Sequence, residues 1–313
     1  MGEIVALITA LIWALGIFPF TEASKRLGPL AVNNFRLLLA VVFLSIFIFA
    51  VDGISILEFA SKPSTENWIY LSLSGLIGLA IGDYFSFGSF AILGARMGSI
   101  FSTLSPAFVF IIATIFINEK LNAIGIAGIA ITLVGVMIVV LSKQEKYNFE
   151  ANQFGSFRKG LLFGVLSALC QSIGVVLSKI GLTIQDSHSI SAAHASWIRM
   201  LGGTVAAYLA VIAIGKFKQV NTPIFQNQNK GLVHVFLGTL CGPVVGMICS
   251  MYALSHVGAS VAQTIFSLVP VFVLFLNYVF YREKITWRSL IGAIIAIAGV
   301  YVLVFRDAIL QLF

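Results

Sequence analysis

The chain has 313 residues, 59% of them hydrophobic and only 10% charged, with a formal net charge of +7. A soluble domain of that length needs far more charge to keep its surface wet, so lipid is the expected solvent. The basic excess sits mostly in short connections, where it meets lipid headgroups and orients helices; it does not argue for a nucleic-acid partner.

Ten apolar runs follow one another, near 4–21, 33–51, 68–91, 97–117, 121–141, 160–179, 192–214, 231–255, 259–280 and 288–305. About 20 apolar residues carry a helix across the hydrocarbon core. None of these runs alternates with period two, so helices are expected rather than barrel strands. Glu3 and no basic segment precede the first run, which therefore reads as a retained helix and not a cleaved signal. The longest polar stretches, 52–67, 142–159 and 216–230, leave no room for a soluble domain. Cys170, Cys241 and Cys249 all fall inside spans, which excludes a disulfide framework and a Cys-rich metal motif.

A shift of 164 residues lays 94–140 over 258–304 without a gap and matches fourteen of 47 positions, among them Gly94, Ala95, Pro106, Glu119, Lys120, Gly128 and Gly135. Earlier in the chain Arg36 falls on Arg199 at a shift of 163, and Ala10, Leu11 and Gly16 fall on Ala168, Leu169 and Gly174 at 158, which sets Trp13 against Gln171. The chain thus divides into a five-helix unit at 1–141, a polar linker at 142–159 and a second five-helix unit at 160–306. Because five is odd, the second copy enters the bilayer from the opposite side. The expected fold is an all-α integral membrane protein with ten transmembrane helices as a 5+5 inverted repeat. Such repeats belong to transporters, with the substrate site near the midplane between the halves.

The stretch Gly82 to Phe87, Ala91-Ile92-Leu93-Gly94-Ala95, Leu104-Ser105-Pro106 and Asn118-Glu119-Lys120 resembles the EamA-type pattern of the drug/metabolite transporter superfamily. The second copy repeats it as Tyr252 to Ala259, Leu268-Val269-Pro270 and Arg282-Glu283-Lys284; Trp13 and Arg36 also fit. The resemblance covers nearly the whole chain and implies secondary export or exchange of amino acids and other small metabolites. The second copy departs from the pattern with Cys170-Gln171, where the family often has a tryptophan-centred pair. Fourteen basic residues on one side against five on the other, counted by span, put both termini outside. The resemblance implies cytoplasmic termini instead, and the two readings stand side by side.

Asp83 is the only acid well inside a span, where a carboxylate is costly unless hydrated or paired. It is the candidate for proton coupling or for contact with a cationic substrate group, weighed against a structural bond that fixes helix packing. Trp13, Tyr84, Ser102, Gln171, Tyr252 and Gln263 complete the expected cavity lining: aromatic rings offer an apolar wall, and a buried amide needs several partners. Pro106 and Pro270, at equivalent positions, are expected to kink their helices. Ser99 and Ser102 share a face with Pro106, as Gln263 and Ser267 do with Pro270. Arg36 and Arg199, each about a turn into a helix, are expected to snorkel to the headgroups. Glu22 and Lys179, at span ends, are read in the same way as the arginines; Glu119-Lys120 and Glu283-Lys284, in tight turns, read as interfacial anchors, and Trp68, Tyr70, Tyr281 and Trp287 as the aromatic belt.

No catalytic residue, metal site or cofactor is expected. There is no His-Glu-x-x-His, no phosphate-binding loop and no nucleophile elbow, and His188, His194, His234 and His256 have no ligand spacing. Transport must then be gradient-driven or facilitative, in a multi-pass protein of the plasma (cytoplasmic) membrane. The expected partners are a small-molecule substrate, amino-acid-like or amphipathic, and the lipid bilayer, with a monomer sufficient. A nucleotide-sugar or sugar-phosphate carrier is the alternative within transport, disfavoured by the lack of a basic residue deep in a span. A membrane-embedded lipid-modifying enzyme would need more convergent carboxylates or histidines than Asp83 alone.

Overall fold

The computed structural model describes residues 1–142, 156–184, 190–226, 230–282 and 285–311, and the structured elements among them are helical. The order is α1 (Gly2–Leu27), α2 (Pro29–Asp52), α3 (Ile56–Ser61), α4 (Thr65–Gly75), a π-helical segment Leu76–Gly82, α5 (Asp83–Ser102), α6 (Ser105–Phe116) and α7 (Ala123–Ser142). The later part has α8 (Phe157–Thr183), α9 (Ala192–Ala213), α10 (Phe217–Phe225), α11 (Leu232–Thr239), a second π-helical segment Leu240–Gly246, α12 (Met247–His256), α13 (Ala259–Phe266), α14 (Val269–Tyr281), α15 (Trp287–Val304) and α16 (Arg306–Leu310). Nine stretches among the described residues are long and apolar enough to cross a membrane. Their outward faces carry bare apolar side chains such as Ile46, Phe49, Leu209, Ile212 and Val233, a surface suited to lipid and not to water.

The expected fourth span, 97–117, is divided. α5 runs on through Gly94 and Ala95 to Ser102, and after a turn at Thr103-Leu104 only α6 follows, too short at twelve residues to cross alone. The turn at Thr103-Leu104 recurs in the later part at Ser267-Leu268, between α13 and α14, whereas Val257, the equivalent of Leu93 inside the continuous α5, is extended and separates α12 from α13. That break has partners. Lys179 Nζ donates to the carbonyls of Leu254 and Val257, at 2.6 and 2.9 Å. The Glu119 carboxylate accepts from the amides of Ala259 and Ser260, at 2.9 and 3.1 Å. In the first copy Thr21 stands where Lys179 stands in the second, and its hydroxyl bonds only back to Ile17 O. Lys179 therefore caps a helix end instead of snorkelling, and Glu119 is a helix cap rather than an interfacial anchor. Glu283 and Lys284 lie outside the described residues.

α7 and α15 pack along their length through small residues. Gly125 faces Arg306, Gly128 Leu303, Gly135 Ala296, Gly292 Val139 and Gly299 Thr132, and Ser142 bonds Ser289. Numbers rise along one helix as they fall along the other, so the pair is antiparallel. At the 164-residue shift each of these contacts maps onto another in the set: Gly128–Leu303 onto Val139–Gly292, and Gly135–Ala296 onto Thr132–Gly299. That is the isologous pattern of a two-fold axis across the helices. A Cβ on Gly135 would lie 2.2 Å from Ala296 N, and one on Gly299 2.3 Å from Thr132 N, both backbone atoms that cannot step aside. Gly135→Ala and Gly299→Ala are expected to destabilise the protein by comparable amounts, on the order of 1–3 kcal/mol. Thermal or denaturant unfolding in mixed micelles measures this, and an unchanged midpoint in either variant would contradict the contact pattern.

Candidate functional site

A cavity of about 390 Å³ lies between α1, α2, α5, α8, α9, α12 and α13. Both π-helical segments border it. Leu76–Gly82 and Leu240–Gly246 are equivalent at the 164-residue shift, sharing Leu76/Leu240, Gly78/Gly242 and Gly82/Gly246. π-turns widen a helix and free carbonyls, and they recur at functional sites. Here Gly78 O accepts from Gln171 Nε2 at 2.9 Å. Directly after each segment come Asp83 and Met247, and one turn further the equivalent pair Ser86 and Ser250; all four line the cavity.

The polar wall is one connected network. Asp83 Oδ2 is ion-paired with Arg36, and its Oδ1 accepts from Gln171 Nε2 at 2.9 Å. Arg36 is held further by its Nε donating to Asn33 Oδ1 at 3.0 Å, and its guanidinium lies 5.5 Å from the Phe20 ring centroid. Arg199, 4% exposed, donates to Ser178 Oγ, while its Nε has no hydrogen-bond partner. Gly78 leaves room for this: a Cβ there would lie 3.3 Å from Arg199 Nη2. The rest of the lining includes an apolar surface. The Trp13 and Phe266 rings are 5.0 Å apart, and Met247 and Met251 continue the surface. Gly246 gives the indole its space, since a Cβ there would sit 2.5 Å from Trp13 Nε1.

Of the residues picked from sequence, Trp13, Asp83, Ser102, Gln171 and Gln263 line this one cavity. Tyr84 and Tyr252 do not. Tyr84 is 57% exposed and packs on Phe85 and Phe163, while Tyr252 faces outward and stacks on His256. Adjacent residues on a helix point about 100° apart. With Asp83 and Met251 turned inward, their neighbours Tyr84 and Tyr252 turn to the lipid. Pro106 and Pro270 each sit just after a turn, at Thr103-Leu104 and Ser267-Leu268, in the first turn of α6 and α14, where the missing N–H is not needed; at Pro270 the interruption falls within the single span Ala259–Phe280. The Ser99 side chain lies outside the described residues. Arg36 and Arg199 do not snorkel but enter the cavity, so the lack of deep basic residues held against anionic substrates is corrected. The repeat contained a signal for this, because two arginines at equivalent depth in both copies suit a shared interior better than two separate interfaces.

Residues 1–141 and 158–305 match the EamA-like transporter family. The chain belongs to that family. Like its EamA relatives it is a multi-pass membrane transporter. An uncharacterized transporter of Archaeoglobus fulgidus is 26% identical over 94% of both chains, and the transporter YoaV of Bacillus subtilis is 22% identical over 91% of this chain and 92% of its own. A chloroplastic WAT1-related protein of Arabidopsis thaliana is 21% identical over 94% of this chain and 67% of its own length. One solved crystal structure superposes with a TM-score of 0.76 at 14% identity, covering 99% of this chain and 98% of that one, a likeness of fold alone.

Proposed function

We propose that this EamA protein is a secondary transporter, gradient-driven or facilitative, that moves a small amphipathic or amino-acid-like metabolite through this cavity by alternating access. We place it in the plasma membrane, with residues 1–141 and 160–306 as inverted five-helix repeats. The observation that carries the reading is the Arg36–Asp83–Gln171 network, set at membrane depth against an aromatic and methionine wall. A charge costs at least about 2.5–3.5 kcal/mol at the centre of an isolated membrane helix and persists where it is paired or lines a polar cavity. The antiparallel, isologous α7–α15 pair, the equivalent π-segments and the family match in two blocks support inverted repeats, and hence two conformations of similar energy.

Within this reading Asp83 is the coupling group. Both of its oxygens are engaged by the protein, which favours a proton-dependent switch of the Arg36 pair over direct capture of a substrate cation. The enzyme alternative has no second carboxylate and no histidine among the described cavity residues. Asp83→Asn keeps size and hydrogen bonding but cannot ionise. In reconstituted vesicles it is expected to lower proton-driven transport at least about a hundredfold while solute exchange persists. If the folded variant transports with unchanged rate and pH dependence, Asp83 is a packing residue.

A further inference from the structure

The charged residues of the cavity do not balance. Among the described lining residues there are two guanidinium groups, Arg36 and Arg199, and one carboxylate, Asp83. A guanidinium remains protonated in proteins. Asp83 is spent on Arg36, whose charge it neutralises at contact distance. Arg199 has the hydroxyl of Ser178, a neutral acceptor, as its hydrogen-bond partner, feels the Asp83 carboxylate without a direct ion pair, and keeps a buried N–H without a partner. Burying a cation in a dry site is costly unless an anion joins it. The folded chain thus leaves one excess positive charge on the residues that line the cavity, and a buried guanidinium N–H without a partner behind it.

The apolar part of the lining determines what such an anion carries. Trp13, Phe266, Met247 and Met251 offer aromatic and thioether surface, which packs against apolar groups of varied shape. Few lining groups beyond the Arg36 network and scattered hydroxyls and amides could satisfy a second charge on the ligand. A phosphate dianion would bring two negative charges to a single uncompensated cation. A zwitterion would bring an ammonium to a carboxylate already saturated by Arg36 and Gln171.

Resting on the transport reading, we infer that the substrate is an amphipathic organic monoanion, its oxyanion bound by Arg199 and its apolar body lying against Trp13 and Phe266. The cavity volume, about 390 Å³, suits a body of a few carbons to a single aromatic ring. Bound substrate brings the site to neutrality, so the loaded carrier moves without net buried charge and the empty one retains it. Arg199 then discriminates by charge, and the aromatic wall by size.

The test uses the purified full-length chain and a ladder of carboxylates, namely butanoate, octanoate and 3-phenylpropanoate, each with its matched primary amide and matched ammonium. Binding is measured by titration calorimetry and by shift of the unfolding temperature. At least one carboxylate is expected to bind ten times or more tighter than both of its partners. Arg199→Gln should bring that ratio close to one, while Arg199→Lys should keep most of it. If amide or ammonium equals the carboxylate throughout the ladder, the inference is overturned; should Arg199→Gln fail to fold, the wild-type ladder alone decides. Counterflow of the preferred probe in vesicles separates the two readings. A transported cation upholds transport and overturns the anion site, whereas a carboxylate that binds with charge preference but never crosses upholds the anion site and overturns transport.

Discussion

Replacing Asp83 with leucine is expected to destabilise the folded protein by about 3–5 kcal/mol, because it strands Arg36 in the interior. The pair is well enclosed, with side-chain exposures of 20% for Arg36 and 12% for Asp83, so solvent cannot take over the role of the lost partner. Arg36→Met alone should cost a similar amount by leaving the carboxylate with only the Gln171 amide. The double replacement removes both desolvated charges and should recover most of the loss, as apolar substitutes for buried ion pairs often do. The cycle is read from unfolding in mixed micelles, where a coupling energy above about 1.5 kcal/mol identifies the pair as an energetic unit. Additive single effects would show that each residue is stabilised by other contacts. Transport should be lost in all three variants, including the stable one, which separates the pair's role in function from its role in folding.

How much of this was legible in the sequence depends on which physical quantity each residue's position requires. Lipid as solvent and nine of the ten expected spans need only composition and run length, and among the described residues those nine stand; the fourth, 97–117, is divided between α5 and the short α6. Depth along a helix is also one-dimensional, and it brought Trp13, Asp83, Ser102, Gln171 and Gln263 to one cavity. Azimuth is not given by depth, and Tyr84 and Tyr252 failed there, each one residue from an inward-facing neighbour. Arg36 and Arg199 failed for another reason. Snorkelling needs a free path to the headgroups, and that path is a tertiary property. At Arg199 the side chain is 4% exposed and turned to Ser178 on α8, a neighbour that the sequence of α9 alone does not reveal. The π-segments were within reach, since Gly78, Gly82 and Ser86 already match Gly242, Gly246 and Ser250 at the shift that aligns the following 47 residues.

Glu119→Ala is expected to loosen the break between α12 and α13 and expose it to water. Glu119 belongs to the first copy, yet its carboxylate accepts both leading amides of α13 in the second, while Lys179 ties the carbonyls that end α12. Bonds to a charged partner contribute about 1.5–3 kcal/mol each, so losing two should raise the open population at least about tenfold. Ser260 is fully buried beside this latch and reports on it. With Cys170, Cys241 and Cys249 replaced, a Ser260→Cys probe should react slowly with a water-soluble thiol reagent and at least ten times faster once Glu119 is alanine. An unchanged rate would mean that packing, not the carboxylate, closes this end.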